Sequence, residues 1–102
     1  MPRKGEKVSF DYDGTISTKK GTELAQSFID DGATVYIISA RSTSKTLNAK
    51  ADDLGIPHSR VYATGSNKAK IEKIKDLEID IHYDNNQDVI DELGDVGRIF
   101  KA

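Results

Sequence analysis

The segment Phe10-Asp11-Tyr12-Asp13-Gly14-Thr15 sets two carboxylates two residues apart, just past a short apolar run. Carboxylates held that close repel, and each raises the other's affinity for a proton. A hard divalent cation relieves the repulsion, and magnesium, which takes oxygen ligands and keeps several waters, suits such a pair. Gly14 permits the tight turn by which the chain leaves the run. Asp84, after the apolar run Ile79-Asp80-Ile81-His82-Tyr83, would add a third carboxylate if the two runs lie side by side. Alone, Asp-Gly-Thr also reads as an ordinary turn with solvated acids around it. The elements that carry these residues decide between the two.

Short apolar runs alternate with amphipathic stretches along the whole chain. Val8-Ser9-Phe10 reads as a strand ending at Asp11. Residues Thr22 to Asp31 have helical spacing, with Thr22 as N-cap and Gly32 as the stop. Thr34-Val35-Tyr36-Ile37-Ile38-Ser39 is β-branched and almost wholly apolar, as in a strand covered on both faces. Ser42 to Leu54 reads as a second helix closed by Gly55, and Arg60-Val61-Tyr62-Ala63 as a third strand. Gly65-Ser66-Asn67 caps a third helix through Ile71 and Ile74. Ile79 to Tyr83 reads as a fourth strand, Asn86 to Leu93 as a short helix, and Gly97 to Phe100 as a fifth strand.

This alternation predicts an α/β fold, a three-layer Rossmann-like domain over residues 1–102 whose five-stranded parallel sheet runs 5-4-1-2-3. Ligands of such sheets gather at the carboxyl ends of the strands, where the winding reverses. Asp11, Ser39 and Asp84 end strands one, two and four, so all three are expected on one edge.

Composition narrows the functional classes. The 102 residues are 36% hydrophobic and 31% charged, with a net charge of −2. That balance argues against nucleic-acid binding through a broad basic face, though not against contact with a nucleic-acid end. Cysteine is absent, which excludes disulfides and thiolate metal sites. No stretch approaches the roughly 20 apolar residues of a membrane span. A soluble cytoplasmic protein is the expectation.

Taken in order, these motifs resemble those of the haloacid dehalogenase superfamily of phosphatases and phosphotransferases. Asp11-Tyr12-Asp13-Gly14-Thr15 is similar to the family's first motif, and Ile37-Ile38-Ser39 to its second. Lys68 best fits the lysine of the third, and Ile81-His82-Tyr83-Asp84 with Asp88 resembles the acidic fourth. The resemblance covers most of the chain. It implies that Asp11 is the nucleophile, forming an aspartyl-phosphate, and that Asp13 is the general acid and base. It further implies Mg2+ held by Asp11, the Asp13 carbonyl and Asp84. Ser39 and Lys68 would bind the substrate phosphate, Thr15 would steady the nucleophile loop, and Asp88 would orient Lys68 or a metal-bound water. Asp13 would need a raised pKa to donate its proton.

Other residues are open to two readings. Lys70 competes with Lys68 but reads as a solvated face residue further into the helix. Arg41, two past Ser39, resembles a phosphate-reaching arginine of some capless relatives, including polynucleotide phosphatases, and is equally a surface arginine. Lys19 and Lys20 flank the entrance or solvate a turn. His82 reads as a packed strand residue and His58 as a loop residue. Asn85 and Asn86 either touch the metal shell or cap the next helix.

The intervals from Asp13 to Ser39 and from Ser39 to Lys68 leave no room for the cap domain common in that family, so an open site is expected. The expected partner is a phosphorylated substrate, with a nucleotide or a polynucleotide 3′-phosphate among the candidates, and the expected assembly a monomer or weak homo-oligomer with no membrane contact. The expected activity is magnesium-dependent phosphomonoester hydrolysis. A phosphotransferase, a receiver-like phosphoacceptor or a non-catalytic metal-binding interaction domain are the alternatives.

Overall fold

Every strand of the sheet runs in the same direction, because each is joined to the next by a helix that crosses back over it. The structure is a computed structural model that describes residues 5–102. The strands are β1 (Lys7–Phe10), β2 (Thr34–Ser39), β3 (Val61–Ala63), β4 (Ile81–Asp84) and β5 (Gly97–Ile99), in the order β3-β2-β1-β4-β5. This is the expected order, read from the opposite edge. The connecting helices are α1 (Lys19–Asp30), α2 (Lys45–Leu54), α3 (Asn67–Asp76) and α4 (Gln87–Leu93). No cap domain interrupts them, and no described helix is long and apolar enough to cross a membrane.

The two faces of the sheet bury separate clusters. Val8, Phe10, Val35 and Ile37 point to one side, where they meet Ala25 and Phe28 of α1 and Leu47, Ala51 and Leu54 of α2. Ile38 points to the other, against Ile74 of α3 and Val89 and Leu93 of α4. Alternation along each strand produces this division, and burial on both sides explains why β2 reads as nearly continuous apolar sequence.

Helix ends differ from the sequence reading where a polar side chain offers a better cap. α1 starts at Lys19 because Thr18, not Thr22, accepts the N–H of Gly21 at 3.0 Å. Thr22 lies inside the helix and donates its hydroxyl to the carbonyls of Ile16 and Thr18, both at 2.9 Å. α2 starts at Lys45, later than Ser42. In α3 the Ser66 hydroxyl accepts from Ala69 N–H at 3.0 Å, as the Gly65-Ser66-Asn67 signal predicts. β4 starts only at Ile81, since Ile79 N–H still bonds the Ile74 carbonyl at the end of α3.

The first three strands wind one way from β1, and β4 then jumps to its other side. The reversal therefore falls between β1 and β4, the strands that end at Asp11 and Asp84.

Candidate active site

Beyond β1 the chain makes a wide turn over Tyr12–Ile16, closed by Ile16 N–H to the Asp11 carbonyl (3.1 Å) and Ser17 N–H to the Tyr12 carbonyl (2.9 Å). Gly14 takes φ +72 here, and a Cβ at this position would meet the Asn85 side-chain amide. The positive φ is the firm reason for glycine, since the Asn85 side chain could swing aside. Thr15 is fully buried under the turn, with its carbonyl accepting from the Thr18 hydroxyl at 2.6 Å. Its contact with the loop is made by its backbone, not by the side chain that the resemblance singled out. Its own hydroxyl has no partner among the described residues.

Strand register assembles the centre of the site. Ser9 of β1 lies opposite His82 of β4. Two residues on, by the two-residue period of a strand, Asp11 and Asp84 emerge on the same face as Ser9 and His82, the α3 side. Lys70 reaches down from α3 between the acids. Its Nζ donates to Asp84 Oδ2 at 2.8 Å and to Asp11 Oδ1 at 3.2 Å. Asp11, Lys70 and Asp84 are only 6%, 2% and 0% exposed, so the cluster is shielded from bulk water.

This corrects the assignment of the lysine. Lys68 is exposed, whereas Lys70 fills the position between the carboxylates. Successive helical residues turn by about 100°, so residues two apart face nearly opposite ways. The signal was in the sequence: Lys70, Ile74 and Leu77 follow the i, i+4, i+7 spacing of one helix face, and Ile74 is core. Reading Lys70 as solvated overlooked that a lysine can be buried when it has carboxylates to meet.

One lysine between two buried carboxylates leaves a net negative centre. Burial, and then the charge of Asp84, raises the pKa of Asp11 to about 6, with Lys70 holding it back from rising further. Burial also pushes Asp84 upward, but hydrogen bonds from His82 and Lys70 outweigh it and leave its pKa below the ordinary value. Asp84 Oδ1 accepts the backbone N–H of Asn86 at 3.0 Å.

Asp13 departs from expectation. Its exposed carboxylate forms a two-pronged pair with Arg41, Nε to Oδ2 at 2.9 Å and Nη2 to Oδ1 at 2.8 Å. That pairing lowers the Asp13 pKa where a raised one was expected. The Arg41 guanidinium also sits 5.0 Å from the centre of the Tyr12 ring, which holds it over the loop. Ser39, one strand from Asp11, is buried and accepts the Arg41 backbone N–H at 3.1 Å, so its hydroxyl hydrogen is not used by that bond.

The remaining candidates divide. Asp88 is exposed in the first turn of α4, and among the described residues its carboxylate makes no ion pair; it does not orient Lys68 or Lys70. Asn86 caps α4, accepting Asp88 N–H at 2.9 Å. Lys20 reaches the Lys101 carbonyl at 2.8 Å, and His58 pairs with Asp52 away from the site. His82 is packed in its strand as expected, yet its Nε2 lies 3.0 Å from Asp84 Oδ2 and its Nδ1 2.6 Å from Ser9 Oγ. Sequence reasoning missed this link, although strand alternation puts His82 and Asp84 on one face.

The donor set fits a hard divalent cation. All its ligand atoms are oxygens, the centre is short of positive charge, and Asp84 Oδ1 keeps capacity beyond its one N–H partner. Asp11 and Asp84 would hold it with their carboxylates. Asp13 could contribute only its backbone carbonyl, because its side chain is committed to Arg41. Among the described residues no three acidic or histidine side chains are placed to hold a metal ion together, so an ion here would rest on two carboxylates with water completing its shell. Compared with protein-family models, curated proteins and solved structures, the chain matches none.

Proposed function

We propose that the protein hydrolyses phosphomonoesters with magnesium, through an aspartyl-phosphate formed on Asp11. The observation that carries this reading is the buried Asp11–Lys70–Asp84 cluster at the point where the sheet's winding reverses. A carboxylate at a strand end, with a cation beside it, is a suitable nucleophile for phosphorus.

In the first step an Asp11 carboxylate oxygen bonds to phosphorus as the ester P–O bond breaks. The leaving oxygen takes a proton from Asp13. In the second, Asp13 removes a proton from water, whose oxygen attacks phosphorus and releases inorganic phosphate and free Asp11. Lys70 stabilises charge on the nucleophile and the phosphoryl group, and Ser39 donates its hydroxyl hydrogen to a phosphoryl oxygen. Bound magnesium would neutralise the negative charge that otherwise opposes a phosphate dianion. Arg41 holds Asp13 ionised in the structure, so the acid step requires Arg41 to move from Asp13 to the arriving phosphate, which offers the same planar fork a second anion.

Charge placement supports an anionic substrate. Lys19 and Lys20 open α1, Lys45 opens α2 and Lys68 lies in the first turn of α3, with no acid in any of those turns. α1 and α2 end in Asp30-Asp31 and Asp52-Asp53, with no base in their last turns. Helix dipoles favour the reverse arrangement. The lysines at the starts of α1, α2 and α3 thus stand on the site edge, where they offset its carboxylates, although α4 opens with Asp88 and α3 ends with Lys73 and Lys75. Such an edge suits a phosphate carried on a nucleotide or a nucleic-acid end.

Phosphate release from a panel of nucleotides, 3′-phosphorylated oligonucleotides and small aryl phosphates, with magnesium or with chelator, tests the reading. Activity with magnesium that vanishes in Asp11→Asn is the expected result. Activity surviving that substitution, or an acyl-phosphate that forms without turnover, would overturn it.

A further inference from the structure

Behind the acidic pair lies a second layer that the proposed chemistry does not use. Ser9 and His82 are both fully buried, and in register across β1 and β4. A continuous chain of hydrogen bonds runs from Ser9 Oγ to His82 Nδ1 (2.6 Å), from Nε2 to Asp84 Oδ2 (3.0 Å), and through Lys70 Nζ (2.8 and 3.2 Å) to Asp11 Oδ1.

We infer that His82 is a positioning residue for the site: it locks the Asp84 carboxylate in the orientation that presents it beside Asp11, and Ser9 fixes the ring tautomer that lets it do so. The inference deepens the proposed function, because it treats Asp84 as a working residue of that site.

The direction of each bond follows from the donor inventory. An ionised carboxylate only accepts, so Nε2 carries the ring hydrogen and donates it to Asp84. The neutral ring then has its lone pair on Nδ1, and the Ser9 hydroxyl is the donor that fills it. With Ser9 replaced by a residue without a hydroxyl, the buried Nδ1 would lack a partner. Every hydrogen in the chain thus points toward the acids.

The bonds to Asp84 come from three directions. His82 approaches from the strand, Lys70 from α3 and the Asn86 N–H from the loop. Lys70 alone would allow the carboxylate to pivot about its long side chain. The rigid ring, held in turn by Ser9, removes that freedom, while Oδ1 keeps acceptor capacity beyond its one bond from Asn86. Outer residues that fix a ligating group in this way typically alter metal affinity or turnover about 10–100-fold when removed. A histidine chosen only to fill the core would need no carboxylate at one nitrogen and no hydroxyl at the other, and an aliphatic side chain would fill the space without burying polar atoms.

The test uses the full chain and the variants His82→Leu, His82→Gln and Ser9→Ala. Two-bond 1H–15N spectra of the unmodified protein should show a neutral ring protonated on Nε2. His82→Leu should lower magnesium affinity, read by calorimetry, and kcat by about 10–100-fold, with KM for a small phosphomonoester little changed. His82→Gln, whose amide can donate from near the Nε2 position, should recover most of both. Ser9→Ala should perturb the Nδ1 resonance and lower kcat less than His82→Leu. If His82→Leu fails to fold, His82→Gln and Ser9→Ala carry the comparison.

A ring protonated on Nδ1, or a folded His82→Leu that binds magnesium and turns over like the unmodified protein, would overturn the inference and leave the proposed function standing. An unmodified protein that binds magnesium but hydrolyses no phosphomonoester would overturn the proposed function, and the ring tautomer and relative magnesium affinities would still decide the role of His82. Failure of the unmodified protein to bind magnesium would overturn both.

Discussion

The two faces of this sheet are built from the same strands yet solve burial in different ways. Toward α1 and α2 the central strands present Phe10 and Tyr83, whose rings stack 5.2 Å apart with Phe28 edge-on beside them. Toward α3 the same two strands, one residue out of phase, present Ser9, His82, Asp11 and Asp84. The first face is held by removal of apolar area from water and by packing, which tolerate approximate geometry. The second has its own apolar cluster around Ile38, Ile74 and Val89, but between β1 and β4 it is held by a chain of polar groups, each of which would be costly to leave unpaired. Both faces therefore bury apolar core, while the second also stores charge where the proposed chemistry needs it.

The sharpest way to break this comparison is to remove one group from each face. Lys70→Met leaves two buried carboxylates facing each other and should destabilise the fold by about 3–5 kcal/mol at pH 7.5. Phe10→Ala should cost about 3–5 kcal/mol through lost burial and the cavity it leaves. Urea unfolding across a pH series separates the two: the Phe10 loss should stay constant, whereas the Lys70 loss should shrink as acid protonates the carboxylates. The control Lys68→Met should change stability by less than about 0.5 kcal/mol. Equal losses at Lys68 and Lys70 would refute the buried cluster.

A substitution that stabilises sharpens it further. Asp11 binds a proton more tightly when folded, with a pKa of about 6 against an ordinary 3.8. The stability it contributes is therefore full below pH 3.8 and lost as pH rises through about 6. Without divalent cations, Asp11→Asn should stabilise the protein by up to about 3 kcal/mol above pH 6.5, an advantage that vanishes below about pH 4. Urea unfolding in chelator checks this, and added magnesium should narrow the difference by stabilising the unmodified protein. A destabilised Asp11→Asn at pH 7.5 would mean that Lys70 relies on Asp11 more than on Asp84.

Two smaller effects test the loop between the faces. Thr15→Val replaces an unpartnered buried hydroxyl by a methyl group of similar shape and should stabilise by about 1 kcal/mol, read by thermal unfolding. Arg41→Ala removes an exposed, solvent-screened pair and should leave stability almost unchanged. Its effect should instead fall on KM for phosphomonoesters, because the guanidinium would be lost from the phosphate and not from the fold.

Much of the fold was legible because it depends on local pattern. β-branched runs separated by amphipathic segments specify strands and crossover helices, and the right-handed crossover rule orders them. The Asp11 and Asp84 positions were legible for the same reason, since strand ends are visible as the points where apolar runs stop. Thr18 as the α1 cap was less so, because Thr18 and Thr22 carry the same side chain and only the path of the turn from Asp11 decides which meets a free N–H.

By itself, then, the sequence determined the alternating fold, the strand-end acids and the glycine that lets the chain turn between them. Tertiary structure alone decided which side chains those acids meet. Lys70 displaced Lys68 because helix rotation, set by Ile74 against the sheet, turned one lysine inward and the other out. Asp13 went to Arg41 because the loops after β1 and β2 lie side by side. His82 became part of the site because the β1–β4 register brought Ser9 to one nitrogen and its own strand brought Asp84 to the other. A buried polar group takes its character from the partners that register and packing supply, and those partners are distant in sequence.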